Sequence, residues 1–336
     1  MQKYNIVIYG LTEAALVCAD SAHKAYPDKS IALIFPENDK KFISLLSENL
    51  ASNSNGQVKV LYKKITAREA NNLILDDNEI ISFDKLVIAT GSSPIRPNIQ
   101  GIDKEGVFLI DKDFQNLNRI KKFALKCEKI VVFGGGYFGV ELTDELLREG
   151  KSVTIIERSN RLLPSSFDSE ISLSAQNIIE SQGGVVILNN KIREVIGSDR
   201  IEAVKLRSEE TISCDFLMIS SGSRPNVEVA EKLKIVFDYD RGILIDDYFR
   251  TSDKNIFAIG DCAAKFDFFR GDLCSFLMQS LKLQEADLVG SNLYSVIYNR
   301  GKLSSYLTHQ KRLLGRIKNR ENNDEKSYLP LRSLQT

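Results

Sequence analysis

Histidine is nearly absent from this 336-residue sequence: only His23 and His309 occur, far apart along the chain. Clustered imidazole and thiolate ligands for zinc or iron are therefore not expected, and no residue is assigned to a metal. Cysteine is sparse as well. Cys18, Cys127, Cys214, Cys262 and Cys274 make an odd five, and none falls in a CxxC or CxxxxC pair, as neither a disulfide framework nor a local dithiol centre would predict. Long apolar runs are missing too. The opening MQKYNIVIYG enters an apolar stretch that stops at Gly10, unlike a secretory leader, and no segment approaches the ~20 apolar residues of a bilayer span. The expectation is a cytoplasmic protein with no membrane span. Net charge is also lacking, with 45 Lys plus Arg against 45 Asp plus Glu, so no overall field draws the chain to nucleic acid or a membrane surface. Nor does any interleaving of aromatic and basic residues recommend nucleic acid.

What is present is enough apolar material, 43% of residues, to fill two ordinary cores. Asn5 to Tyr9 reads as a buried strand, Thr12 to Lys24 as a helix and Ile31 to Phe35 as the next strand, the opening of a doubly wound nucleotide-binding unit. Residues 38–55 read as a surface helix and a polar loop. Short β segments follow at Val58 to Leu61, Asn72 to Leu75 and Lys85 to Ala89. Ser92 to Pro97 is not expected to continue a regular strand, because Pro94 and Pro97 lack donors. A domain crossing is placed there or around Gly101 to Val107.

The pattern then repeats: Ile130 to Phe133 as strand, Gly134 to Gly139 as glycine loop, Val140 to Arg148 as helix, Val153 to Ile156 as strand. A helix is expected over Asp168 to Glu180 and a β meander over Val185 to Ile212, with a turn at Gly197 to Asp199. Phe216 to Ser220 repeats the strand of Lys85 to Ala89. The duplication is plainest where IATGSSPIRP (88–97) is mirrored by ISSGSRPN (219–226). Gly242 to Asp247 and Asn255 to Asp261 read as a strand pair returning to the first domain, and Leu273 to Tyr298 as helical. The fold class is α/β, two Rossmann-like nucleotide-binding domains with β-meander insertions and a discontinuous first domain. Its boundaries are 1–106 with 243–298 for the first domain, 107–242 for the second, and 299–336 for a short polar, basic tail.

The run VVFGGGYFGVE supplies Gly134, Gly136 and Gly139 in GxGxxG spacing between a strand and a helix. The first glycine permits the tight turn, the second clears the pyrophosphate path, and the third lets helix and strand approach; the phosphates then accept from the helix N-terminus. Glu157 follows at the end of the next strand, placed to accept from the adenosine ribose hydroxyls and to repel a 2′-phosphate. NADH is therefore preferred to NADPH, while Arg158 and Arg161 keep a phosphate-pairing alternative open. At the N-terminus the matching run is GLTEAA. Gly10 keeps its place, Thr12 stands at the phosphate-approaching position and Ala15 at the packing position. The Thr12 side chain would intrude on a dinucleotide in the usual pose, unless its hydroxyl donates to a phosphate. The next strand ends in Phe35, Pro36 and Glu37, which shifts the ribose acid to Glu37 or leaves Glu37 as a surface residue.

With these motifs in order, joined by FDKLVIATGSSPIRP, CDFLMISSGSRPN and RTSDKNIFAIGDCA, the chain resembles the FAD- and NAD(P)-dependent pyridine nucleotide-disulfide oxidoreductases over roughly residues 1–295. Its order looks closest to the branch of NADH:rubredoxin reductases, NADH oxidases, coenzyme A disulfide reductases and the flavin portion of nitrite reductases. The resemblance implies FAD across the first domain, with Gly10, Thr12, Glu37, Thr90, Gly91, Gly260 and Asp261 in its binding set. It implies NADH across the second, with Gly134, Gly136, Gly139, Glu157 and Gly222. Tyr137 is implied to gate the flavin's nicotinamide face and Glu141 to lie close to the nicotinamide; a core aromatic and a helix-surface acid are the plain alternatives. Hydride would pass from NADH to flavin, the rings being positioned by protein and the redox chemistry supplied by the cofactors.

Departures narrow the outcome. The segment Asp39 to Leu50, where the family's disulfide reductases carry their cysteines, has none, which disfavours disulfide and cysteine-dependent peroxide reduction. Cys262 is read as structural. No counterpart of the family's C-terminal interface domain follows, so no oligomeric state is assigned. The leading expectation is an NADH:acceptor flavoenzyme feeding a small acidic carrier such as rubredoxin, ferredoxin or flavodoxin. Lys311, Arg312, Arg316, Lys318 and Arg320 offer either a steering patch or a solvated tail. The alternatives are a flavoenzyme using oxygen, a quinone or another small acceptor, and a divergent NAD-binding protein with weak or absent FAD binding in a regulatory or assembly role.

Overall fold

The computed structural model describes residues 2–36, 54, 56–110, 114–164, 167–267, 272–274 and 279–295. Glu37, the helix and loop expected over 38–55 (Ser54 apart) and the tail 299–336 lie outside the described residues.

Strand β1 (Gln2–Tyr9) sends Ile6 and Ile8 into one core and Val7 and Tyr9 into another, so both its faces are covered. That is the environment of a central parallel strand. β2 (Ile31–Phe35), buried throughout, and β3 (Val58–Tyr62) extend the sheet in parallel on one side. β4 (Ile65–Glu69) and β5 (Asn72–Leu75) form a hairpin that pairs antiparallel with the start of β6 (Ile80–Ile88), which is itself parallel to β1. The alanine-rich helix Glu13–Ala25 lays Ala14, Ala15, Cys18, Ala19 and Ala22 on one face of this sheet. The helix Gln279–Asn292 packs over it through Ala286 and Val289.

β7 (Ser92–Pro94) leads to a second sheet. β8 (Val107–Leu109), β9 (Lys129–Phe133), β10 (Ser152–Ile156) and β11 (Val185–Ile187) belong to it. The antiparallel meander β12 (Ile192–Ile196), β13 (Ala203–Leu206) and β14 (Thr211–Ser213) precedes β15 (Phe216–Ile219), giving an all-parallel order β11-β10-β9-β15-β8. Helices Phe114–Ala124, Tyr137–Arg148 and Ser169–Ser181 lie along the chain between its strands. The meander covers one face with Ile192, Val195, Val204 and Leu206.

Several boundaries differ from the sequence expectation. Val185–Ile187 is not part of the meander: it pairs in parallel with β10. The second glycine-loop helix begins at Tyr137, three residues before the expected Val140, because Gly136 is already its N-cap. The segment Ser92–Pro94, expected to be irregular, forms a ribbon with β16 (Ser223–Pro225). Pro94 and Pro225 sit at its ends, and the closing donors are Ile95 N to Gly222 O and Asn226 N to Gly91 O, so neither proline must supply an N–H. The mirrored sequence segments thus touch each other.

Nor do the late strands pair together. After the helix Glu228–Leu233, β17 (Phe237–Asp238) pairs with β18 (Gly242–Leu244), whereas β19 (Ile256–Ala258) returns to the first sheet beside β6. β18 instead pairs with β20 (Ala263–Asp267), and β20 with β21 (Asp272–Cys274). The helix expected from Leu273 therefore starts at Gln279. Among the described residues no helix is long and apolar enough to cross a membrane.

Candidate functional site

Each glycine loop follows the carboxyl end of a parallel strand, β1 or β9, the place where doubly wound sheets bind ligands in a crevice. In the second sheet, Gly134 leaves β9 with φ +115°, and a Cβ there would lie 2.1 Å from Ser220 O. Only glycine fits both that angle and that contact. At Gly139 an added Cβ would meet Gly134 O at 1.8 Å, so the Tyr137 helix rests directly on the loop. Gly136 is different: a Cβ there would meet no heavy atom within 4 Å. It caps the helix with no side-chain hydrogen bond, leaving the N-terminal amides facing open space.

Glu157 directly follows β10 and is buried, 5% exposed. Its Oε2 accepts from Gly135 N at 2.6 Å and its Oε1 from Ser159 N at 2.8 Å. Each oxygen retains a further lone pair, so the carboxylate can hold the loop and still accept from a ribose. Leu163, at φ +53°, donates its N–H to Gly135 O at 2.7 Å, and the fully buried Leu162 lies beneath Gly135. This buttress carries no motif and was not legible in the sequence. Arg158 is exposed and Arg161 donates to Pro164 O at 3.2 Å.

Tyr137 and Glu141, one helical turn apart, are both half-buried. Tyr137 packs against the helix-side core of the second sheet, with Phe138 edge-on to its ring at 5.9 Å. Burial, reinforced by Glu141, raises the Tyr137 phenol, and burial followed by Glu145 raises the Glu141 carboxyl.

The first sheet repeats the frame with other residues. Gly10 has φ +133° and an added Cβ would meet Ala89 O at 2.2 Å, the counterpart of Gly134 against Ser220. Gly10 N donates to Ile34 O as Gly134 N does to Ile156 O, which aligns Thr12 with Gly136, Ala15 with Gly139 and Phe35 with Glu157. Thr12 is the N-cap of its helix: Oγ1 accepts from Ala15 N at 3.2 Å and donates to Ala89 O at 3.0 Å. Its methyl lies against Gly91, where a Cβ would be only 2.9 Å away. The hydroxyl's proton is directed to Ala89 O. Phe35, 2% exposed, packs edge-on to Tyr62 where the second site has its carboxylate.

Thr90 and Gly91 are stitched to the second half. Thr90 Oγ1 donates to Asn226 O at 2.6 Å, Asn226 Nδ2 to Thr90 O at 2.9 Å, and Ser93 Oγ to Asn226 Oδ1 at 2.8 Å. Asn226 was not singled out from sequence, although its place in the mirrored segment was a signal. Gly222, at φ +96°, lies beside Ile95 in the same ribbon.

Gly260 and Asp261 follow β19 in a short 3-10 turn that brings Gly260 close to Ala14 at the start of the Glu13 helix. Ser92 Oγ approaches Asp261 Oδ2 at 3.3 Å, and Lys282 from the Gln279 helix pairs with Asp261 Oδ1 at 2.5 Å, both side chains buried. Beside them Glu285, completely buried, accepts from Gly260 N at 3.4 Å and pairs with Lys265 at 3.4 Å; Lys265 also donates to Gly260 O. Burial pushes the Glu285 carboxyl up to about 7 against the opposing pull of Lys265. Neither Lys282 nor Glu285 was legible as a site residue, since the helix that carries them has no motif. Cys262 is fully buried with its thiol against Ile88 O and Ile259 O, a structural position.

Comparison with known proteins agrees with this architecture. The nitrite reductase [NAD(P)H] of Bacillus subtilis is 31% identical over 195 residues, covering 58% of this chain and 24% of that protein. An NADH oxidase of Methanocaldococcus jannaschii is 29% identical, covering 66% of this chain and 49% of its own length. The chain thus spans between a quarter and half of these relatives. A ferredoxin reductase from Rhodopseudomonas palustris shares the fold with a TM-score of 0.73 at 22% identity, over 86% of this chain and 76% of that one. The family model for pyridine nucleotide-disulphide oxidoreductase matches residues 5–284, and the chain belongs to that family.

Proposed function

We propose that this chain is an NADH-binding member of the family in which the pyridine-nucleotide half works and the flavin half has diverged. The observation that carries this reading is the pair of aligned positions Gly136 and Thr12. At Gly136 the helix N-terminus is uncapped and open; at Thr12 the equivalent end is capped by its own side chain. The second site fits a dinucleotide: the Tyr137 helix end takes the pyrophosphate, Glu157 takes the adenosine ribose, and its negative charge disfavours a 2′-phosphate. Gly134 and Gly139 hold the loop, while Gly222 shapes the ribbon beside it. Tyr137 and Glu141 lie along the helix that starts at the loop.

FAD fits the first site poorly. Gly10, Gly91, Gly260 and Asp261 stand in the places the family uses, but Thr12 lies against Gly91, Lys282 pairs with Asp261, and the buried Phe35 aligns with Glu157. When bound, FAD would accept the hydride of NADH and pass electrons on singly, so the finer reading, electron delivery to a small carrier such as ferredoxin or rubredoxin, requires that site to open. With that site closed, this member of an oxidoreductase family is read as an NADH-binding protein in a regulatory or assembly role. Two domains support this division: 1–106 with 243–298 and 107–242, a split favoured by the return of β19 to β6.

The test is a fluorescence titration of the purified chain with NADH and NADPH in parallel, repeated with Gly136→Thr. NADH binding at least about tenfold tighter than NADPH, and a loss of about tenfold in NADH affinity in the variant, are expected. Equal affinity for both nucleotides, or a variant that binds NADH as well as the parent, contradicts the assignment.

A further inference from the structure

The buried charges around Gly260 belong to the turn after β19 and lie outside the proposed NADH site. Lys282 reaches from the Gln279 helix into the turn after β19 and meets Asp261 at 2.5 Å, with side-chain exposures of 7% and 9%. Lys265 and Glu285 form the adjoining pair, with exposures of 12% and 0%. Two ammonium groups thus face two carboxylates around Gly260, beside the Thr12 and Gly91 contact that narrows the same crevice. Removing one partner of a buried pair leaves its opposite uncompensated, which is why such a pair resists a competing ligand.

We propose that Lys282 is an internal occupant of the flavin subsite: its ammonium holds the Asp261 carboxylate and, with the Thr12 side chain, closes the first crevice to FAD. At the phosphate end, Thr12 Oγ1 already accepts from the amide of Ala15 and covers Gly91 with its methyl, so an incoming phosphate finds neither the amide nor the space. At the ribityl end, the Lys282 ammonium stands 2.5 Å from Asp261 Oδ1, so a hydroxyl approaching that oxygen meets a charged group already in place. The helix bearing Lys282 is also fixed to the Glu13 helix, through Ser21 Oγ donating to Asp287 Oδ1 at 2.6 Å and Tyr26 Oη donating to Ser291 O at 3.2 Å. Lys282 is therefore a specificity-determining residue that excludes a ligand rather than recruiting one.

The experiment measures FAD binding by equilibrium dialysis on the full chain, the variants Lys282→Ala and Thr12→Gly, their combination, and Lys282→Arg, with NADH affinity measured in each preparation. The wild type is expected to retain no FAD after gel filtration, the double variant to gain at least about tenfold in FAD affinity with NADH affinity unchanged, and Lys282→Arg to gain nothing. Should the double variant fail to fold, Thr12→Gly with Lys282→Gln keeps a hydrogen-bonding partner for Asp261 and is held to the same expectation. Stoichiometric FAD on the wild type overturns the proposal, as does a folded double variant that binds NADH normally and gains no FAD affinity. Loss of NADH binding throughout would instead count against the pyridine-nucleotide site, a separate outcome.

Discussion

The two glycine loops of this chain share one frame and differ in what fills it. Each first glycine has a positive φ and backs onto the carbonyl ending a neighbouring strand, Ala89 for Gly10 and Ser220 for Gly134. Each donates its amide to the next strand, at Ile34 and Ile156. Yet the aligned positions beyond each turn diverge: Gly136 against Thr12 at the helix start, and Glu157 against Phe35 at the next strand. The backbone needs of a βαβ turn and the chemical needs of a nucleotide are thus separable. The former persist in both halves, and the latter only in the second.

The packing glycines give the largest test of that separation. Gly139→Ala would drive a methyl to 1.8 Å from Gly134 O, and about 3 kcal/mol of stability should be lost, read as a lower urea midpoint. The mirrored change, Ala15→Gly, relieves nothing and should cost only about 1 kcal/mol through helix propensity. Equal costs would mean that the helices approach their loops alike. A smaller effect is expected at the ribose position. Glu157→Gln weakens charge-assisted acceptance from Gly135 N and Ser159 N and should reduce NADH affinity by about 2 kcal/mol while narrowing the preference over NADPH, measured by the same titration.

The smallest effect concerns the charges confined to the first crevice. Glu285 has a folded pKa of about 7, raised from 4.5 by burial, so the folded state holds its proton more tightly than the unfolded chain. Its contribution is present in full below 4.5 and is lost as pH rises to about 7, with Lys265, Asp261 and Lys282 as its charged neighbours. Unfolding midpoints should fall across that window and flatten in Glu285→Gln. An unchanged slope in the variant would assign the pH dependence to other groups.

Much of the frame was legible because it rests on backbone demands that few residues meet. The strands Ile31–Phe35 and Asn72–Leu75 were read with their observed bounds, and Gly134, Gly136 and Gly139 stand as expected. Asp168 caps its helix by accepting from Glu170 N and Ile171 N, as the start of that helix implied. What escaped depends on contacts distant in sequence. Val185–Ile187 reads like any β segment until β10 is beside it, and β18 and β19, adjacent along the chain, join different sheets. The site was legible in the same proportion. Motif glycines and Glu157 announce themselves by spacing, whereas the Thr12 hydrogen bonds, Asn226 and the Lys282–Asp261 pair exist only once distant segments meet.

The asymmetry of the two sites is tested most directly by offering the purified chain FAD and NADH together and measuring what remains bound after gel filtration, with an anaerobic visible titration on the same sample. Retained NADH binding, no retained flavin and no bleaching of a protein-bound flavin band are the predicted results. A stoichiometric flavin that NADH bleaches would contradict the account and restore hydride transfer to FAD as the activity of this chain.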